Sequence, residues 1–213
     1  MVYFISGLGA DERVFQFLDL SKTQHRFIKW NEPGKKENLV SYCKRLLEQI
    51  DREQEVIVIG ISFGGIIAQE ISKIIHCEKV IIISSIKTTA EFSWQLKLAR
   101  KLQIHIITPL WLLTWGNLLT ADYYFNIESK AESKLLHQII KDTNSEFLVW
   151  AIHQIMNWKN SDIPTNLIHI HGSSDRIFPI RYIKNCIELP KSGHFMIVNR
   201  SKRIEQLIFE HIK

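Results

Sequence analysis

Val56-Ile-Val-Ile-Gly60-Ile61-Ser62-Phe63-Gly64-Gly65-Ile66-Ile67-Ala68-Gln69-Glu70 is an apolar, β-branched run that turns without a spacer into a helical pattern. A G-x-S-x-G pentapeptide sits on the junction. Val56–Ile59 is apolar at every position, as suits a strand covered on both faces of a parallel sheet. The spacing from Phe63 to Ile75 predicts a helix. A serine on so tight a strand-to-helix turn is backbone-strained, and small residues on both sides let the neighbouring backbones approach. Gly60, Gly64 and Gly65 supply that space. Ser62 also stands at the positive end of the following helix, which favours the negative charge that develops during acyl transfer.

Similar runs lie on either side. Val2–Ile5, Phe27–Trp30, Val80–Ile83, Leu167–Ile170 and Cys186–Leu189 read as further strands, and Leu39–Ile50 and Lys202–Ile212 as helices. Strand alternating with helix predicts an α/β fold with an open, mostly parallel six-stranded sheet. The alternation breaks after Ser84-Ser85, where roughly 75 residues read as helices without a strand. The division is therefore a core of residues 1–87 and 163–213 with a helical insertion over 88–162. That insertion holds Trp94, Trp111, Trp115, Trp150 and Trp158, five of the 6 tryptophans. They either form a small core of their own or line a substrate pocket from above; the two roles are compatible. No internal repeat, low-complexity tract or Pro/Gly-rich linker interrupts the chain.

The 213 residues are 46% hydrophobic and 23% charged, the composition of an ordinary globular domain. The net charge of +5 is spread over scattered basic residues, so nothing selects nucleic-acid binding. Cys43, Cys77 and Cys186 are far apart and have no C-x-x-C spacing, which argues against a disulfide framework or a cysteine zinc site and for a reducing compartment, the cytoplasm. The N-terminus has no basic region and reads as a strand rather than a secretory signal. Leu102–Leu119 is the most apolar stretch, but Gln103, His105, Thr108, Pro109, Thr114 and Asn117 argue against stable membrane insertion. Its part Leu110–Leu119 is a candidate membrane or subunit contact if an apolar face is exposed there.

A serine hydroxyl needs a base to take its proton. Among the 9 histidines, His194 in Lys191-Ser192-Gly193-His194-Phe195 follows the last strand on a glycine turn and is the best placed. His169 and His171 form an H-x-H pair without a third ligand at useful spacing, so no metal site is expected, and His171 reads as a packing residue at a strand end. The base needs an acid to fix its tautomer. Asp175, just past the carboxyl end of the fifth strand, fits; its rival Asp162 lies at the opposite edge. Two backbone N–H donors for an oxyanion come from Phe63 and, in Ser6-Gly7-Leu8-Gly9-Ala10-Asp11, from Leu8. That glycine turn could equally serve only as a turn, with Asp11 capping a helix over Glu12–Leu18. It lacks the G-x-x-x-x-G-K-[ST] of a phosphate loop.

Together, Ser6-Gly7-Leu8-Gly9, Gly60-Ile61-Ser62-Phe63-Gly64-Gly65, His171-Gly172 through Asp175, and Gly193-His194-Phe195 resemble the α/β-hydrolase superfamily over the whole chain. The resemblance implies a triad of Ser62, His194 and Asp175 in the chain order of that fold, oxyanion donors Leu8 and Phe63, a helical cap, and no cofactor. Two features depart from the family. Ser6-Gly7 stands where the family usually has His-Gly, and the first two antiparallel family strands are missing. A six-stranded sheet with Phe27–Trp30 as its exposed edge follows. With the first strand between the second and third, a crevice opens between the Gly7 and Ser62 loops.

The expected activity is serine hydrolysis of a carboxylic ester or thioester of a small apolar or acyl substrate through an acyl-enzyme. The alternatives are a ligand-binding or receptor-like protein on the same scaffold, or a lyase or peroxidase-like enzyme using the same triad. A nucleic-acid module ranks last. A homodimer through the cap or the edge strand is the expected assembly, if any.

Overall fold

The computed structural model describes residues 1–104, 108 and 119–212. Its apolar runs pair as one sheet. Strands β1 (Val2–Ile5), β2 (His25–Ile28), β3 (Ile57–Ile61), β4 (Lys79–Ile83), β5 (Leu167–Gly172) and β6 (Ile187–Leu189) take the order β2-β1-β3-β4-β5-β6. Each neighbouring pair is parallel, so the expected mostly parallel sheet is wholly so. β1 lies between β2 and β3, with Ile5 level with Gly60, and the chain leaves β1 and β2 to opposite sides at that point. Such a reversal opens a crevice at the carboxyl ends of the strands.

Side-chain alternation divides the core. Tyr3 and Ile5 face one side with α1 (Leu39–Leu46) and α2 (Phe63–Ser72); Val2 and Phe4 face the other with α6 (Met196–Asn199) and α7 (Ser201–His211). Ile66, Ile67 and Ile71 of α2 are fully buried, each contributing roughly 1.5–3 kcal/mol. Both faces covered is the condition a parallel sheet requires.

Several element ends differ from the sequence reading. β2 runs His25–Ile28 rather than Phe27–Trp30. Lys29 leaves the ladder because its N–H donates to Gln49 Oε1, and Trp30 leaves it because the indole N–H donates to Ser6 Oγ and to the Ala10 carbonyl. The helix from Leu39 tightens into a 3-10 turn over Leu47–Gln49, and that expected at Glu12–Leu18 is only a 3-10 turn, Glu12–Phe15, capped by Asp11.

Between β4 and β5 the described residues contain helices and no strand: α3 (Trp94–Lys101), residues 119–124, α4 (Lys130–Asp142) and α5 (Ser145–Asn157). Ser93, Ser129 and Asn144 cap the three named helices with their side chains. A separate aromatic core is not what the described tryptophans make. Trp150 packs on Tyr42 of α1 at 4.3 Å between ring centroids, and buried Trp158 donates its indole N–H to Glu70 of α2. Trp94 is 59% exposed. Joining the main core removes more aromatic surface from water than a small cluster could. Leu136 and Ile139 of α4 pack with the opposite face of the sheet. Trp111, Trp115 and positions 110–118 of the Leu110–Leu119 stretch lie outside the described residues. No described helix is long and apolar enough to cross a membrane.

Candidate active site

Ser62, between β3 and α2, has φ 52° and ψ −116°, a conformation costing a non-glycine residue about 1–3 kcal/mol. The surroundings enforce it. The Ser62 N–H donates to the Ile83 carbonyl (2.9 Å), and the Ser62 carbonyl accepts from the Gly65 N–H (2.9 Å) and the Ser85 hydroxyl (2.7 Å). A Cβ at Gly60 would lie 2.1 Å from the Gly64 carbonyl oxygen, and one at Gly64 would lie 2.3 Å from the carbonyl oxygens of both Ile5 and Ser6. Only glycine lets this turn sit so close to itself and to the end of β1.

The β1 loop abuts the same serine, since a Cβ on Gly7 would be 3.5 Å from Ser62 Cβ. Ser6 Oγ donates to the Ala10 carbonyl (2.6 Å), Ala10 N–H to the Gly7 carbonyl (3.0 Å), and Thr143 Oγ1 to the Gly9 carbonyl (2.8 Å). Ser6, at the position where the family usually has histidine, thus holds the loop from within. Among the described residues neither the Leu8 nor the Phe63 N–H has an acceptor. A cavity of about 210 Å³ adjoins this loop, lined in part by Ala10, Arg13, Trp30, Ile139 and Phe147.

The structure brings the three expected side chains together. His194 Nδ1 is 2.8 Å from Asp175 Oδ2 and His194 Nε2 is 3.1 Å from Ser62 Oγ. The carboxylate fixes the hydrogen on Nδ1, which leaves Nε2 as the acceptor for the serine hydroxyl. Asp175 and His194 are 4% and 3% exposed. Asp175 Oδ1 accepts from the N–H groups of Ile177 (2.8 Å) and Phe178 (2.9 Å), so the carboxylate is solvated by its own turn. The imidazole is packed edge-on by Phe125 and Phe178, at 5.2 and 5.8 Å between centroids. Asp162, the rival acid, instead bonds around Asn160.

Some neighbours carry no signal in the sequence. Phe125 comes from the inserted segment, whose Tyr123 carbonyl accepts from Arg176 (2.7 Å) while the guanidinium lies 4.1 Å over the Tyr123 ring. His171 is not mere packing. His169 Nε2 is 3.1 Å from His171 Nδ1, and His171 Nε2 is 2.8 Å from the Phe178 carbonyl. Burial, chiefly, holds both rings below the usual histidine range. Lys87, in the loop after β4, stands 3.0 Å from His169 Nδ1 and 3.0 Å from Glu91. With their nitrogens so engaged, the H-x-H pair is a hydrogen-bonded unit rather than a pair of metal ligands. Among the described residues no three His, Cys, Asp or Glu side chains form a metal-binding group.

The model of the alpha/beta hydrolase family matches residues 30–207. Comparison with curated proteins gave no match. Among solved structures, an esterase from Exiguobacterium antarcticum superposes with a TM-score of 0.74 at 15% identity over 98% of this chain and 90% of that one. A bromoperoxidase from Bacillus anthracis gives 0.72 at 18% identity over 99% and 91%. A hydrolase from Pseudomonas aeruginosa gives 0.74 at 12% identity over 99% and 89%. At such identities the likeness carries the fold.

Proposed function

The chain belongs to the alpha/beta hydrolase family, and we propose that it is a serine hydrolase that cleaves a carboxylic ester or thioester of a small apolar or acyl substrate. One observation carries this reading: the Ser62 hydroxyl caps no helix and meets His194 Nε2, whose other nitrogen is held by a buried carboxylate. Ser62 Oγ attacks the substrate carbonyl carbon as its proton passes to His194 Nε2, and Asp175 stabilises the imidazolium. The N–H groups of Leu8 and Phe63 receive the oxyanion. Collapse of that intermediate expels the alcohol or thiol, which takes the proton from His194. Water, deprotonated by His194, then attacks the acyl-enzyme and releases the carboxylic acid and Ser62. Every step balances with water alone.

The aromatic surroundings of the site support an apolar or acyl substrate: Phe125 and Phe178 pack against the imidazole, and Trp30 stacks on Phe63 at 5.6 Å. Residues 88–162 act as the cap in this reading, and Phe125 is its contact with the imidazole. The three cysteines are free, which fits a reducing compartment such as the cytoplasm. Ser62→Ala is expected to abolish hydrolysis of p-nitrophenyl acetate and butyrate and labelling by a fluorophosphonate probe. Retained turnover in a clean preparation defeats the mechanism, and an unlabelled wild-type serine favours a ligand-binding role.

A further inference from the structure

The triad accounts for Asp175, yet four further ionisable side chains, Lys87, Glu91, His169 and His171, are buried behind it. Burying such groups costs more than filling the space with apolar side chains, unless they fix a geometry that apolar packing would leave loose. Their hydrogens can be placed by elimination. An ammonium offers three donors and no acceptor. Those of Lys87 face Glu91 Oε1 (3.0 Å), His169 Nδ1 (3.0 Å) and the Lys184 carbonyl. His169 Nδ1 is therefore bare, and its hydrogen sits on Nε2, pointing at His171 Nδ1 (3.1 Å). That nitrogen is bare in turn, so His171 carries its hydrogen on Nε2 and gives it to the Phe178 carbonyl (2.8 Å).

The opposite polarity fails at one end, because a bare His171 Nε2 would face a carbonyl oxygen, two acceptors with no proton between them. The chain thus runs one way, Lys87 to His169 to His171 to Phe178. It ends on the turn whose Phe178 N–H holds Asp175 Oδ1, with Asp175 Oδ2 3.6 Å from His171 Nε2, outside hydrogen-bond reach. A chain closed by a carbonyl passes no proton onward; it can only hold position. Glu91 completes it by neutralising Lys87 and accepting from the Lys184 N–H (3.3 Å), so the β4 exit and the β5–β6 connection are fastened at one buried point.

We propose that Lys87, His169 and His171 are positioning residues that hold the Asp175–Phe178 turn, and through it His194, in register with Ser62. The inference rests on the proposed triad for its kinetic readout only. In ¹⁵N spectra of the full chain at pH 7, both His169 and His171 are expected as neutral Nε2–H tautomers. An Nδ1–H tautomer or an imidazolium at either ring overturns the chain, whether or not the protein hydrolyses esters. With p-nitrophenyl acetate, His171→Phe is expected to lower kcat by up to about 100-fold with KM changed less than about 2-fold. It is also expected to shift the His194 Nδ1–H resonance. His171→Gln, which keeps an N–H for the Phe178 carbonyl, restores most of both. Unchanged kcat and an unchanged resonance in His171→Phe overturn the proposal. If that variant does not fold, His169→Phe and His169→Gln decide it: the first, which removes the donor to His171 Nδ1, is expected to shift the His194 resonance and the second to keep it, and no shift in His169→Phe, or loss of the resonance in His169→Gln, overturns the proposal. An inactive wild type with the expected tautomers refutes the esterase reading and leaves the positioning chain standing.

Discussion

The Ser62 elbow and the Asp175 turn sit over the carboxyl ends of one sheet and differ in what holds them. The elbow is held by backbone: a positive φ, two glycines whose missing side chains admit carbonyl oxygens, and hydrogen bonds to main-chain atoms. The Asp175 turn has no positive φ; Gly172 at its start also admits a carbonyl oxygen, that of Ser192, but beyond it the turn is held by buried side chains that carry titratable protons. The first depends on no titratable group in these contacts and leaves no room for added volume. The second is sensitive to protonation, and its shape depends on residues far away in sequence. Rigidity made from glycine is local, whereas rigidity made from buried polar groups has to be assembled.

The contrast can be broken at the elbow first. Gly64→Ala places a Cβ 2.3 Å from two backbone oxygens, so a loss of about 3 kcal/mol is expected in urea melts; a variant as stable as wild type would show that the elbow yields. Acid probes the other turn. His169 and His171 are held below the unfolded value, foremost by burial, with Lys87 acting against protonation of His169 and Asp175 partly offsetting the shift at His171. The unfolded chain then takes up protons first as pH falls below about 6.5, and stability drops by up to about 1.4 kcal/mol per pH unit for each ring until its folded pKa is passed. Denaturant midpoints between pH 7.5 and 5.5 should show this slope, and His169→Gln/His171→Gln should flatten it.

A smaller effect sharpens the elbow's side of the contrast. Asn38 caps α1 through its side chain, accepting from the Ser41 N–H (2.9 Å), while Ser62 at the same position of α2 caps nothing. Asn38→Ala should cost about 1 kcal/mol. Ser62→Ala should change stability by less than about 0.5 kcal/mol. Melts of the two variants side by side measure whether the hydroxyl is held in reserve for chemistry.

The same contrast explains what could be read from the chain. The elbow was legible because its determinants, Gly60, Ser62 and Gly64, are contiguous and sit between a strand pattern and a helix pattern. Asp175 and His194 are legible as loop residues following strands, whereas the full strand order comes from the structure. Lys87 and Glu91 were not, because at i, i+4 they look like an exposed helical pair, and their partners His169 and His171 come about eighty residues later, a separation that no local pattern encodes. The apolar neighbours of Trp30 point to a strand, whereas its indole N–H finds its acceptors in the β1 loop. Trp150 and Trp158 were grouped by proximity in sequence and instead joined the core that their helix reaches.

The pairing of β4 with β5 carries a consequence for how the molecule is made. β1 pairs with β2, and β3 with β4, across short connections, but β5 joins only after a segment of roughly 80 residues has closed, and loop-closure entropy must be spent before such long-range contacts repay it. Ser62 belongs to the half with local partners, Asp175 and His194 to the half that docks across the long loop. In the proposed mechanism, folding order therefore sets when Ser62 becomes reactive: a half-folded molecule holds a strained serine without His194 beside it.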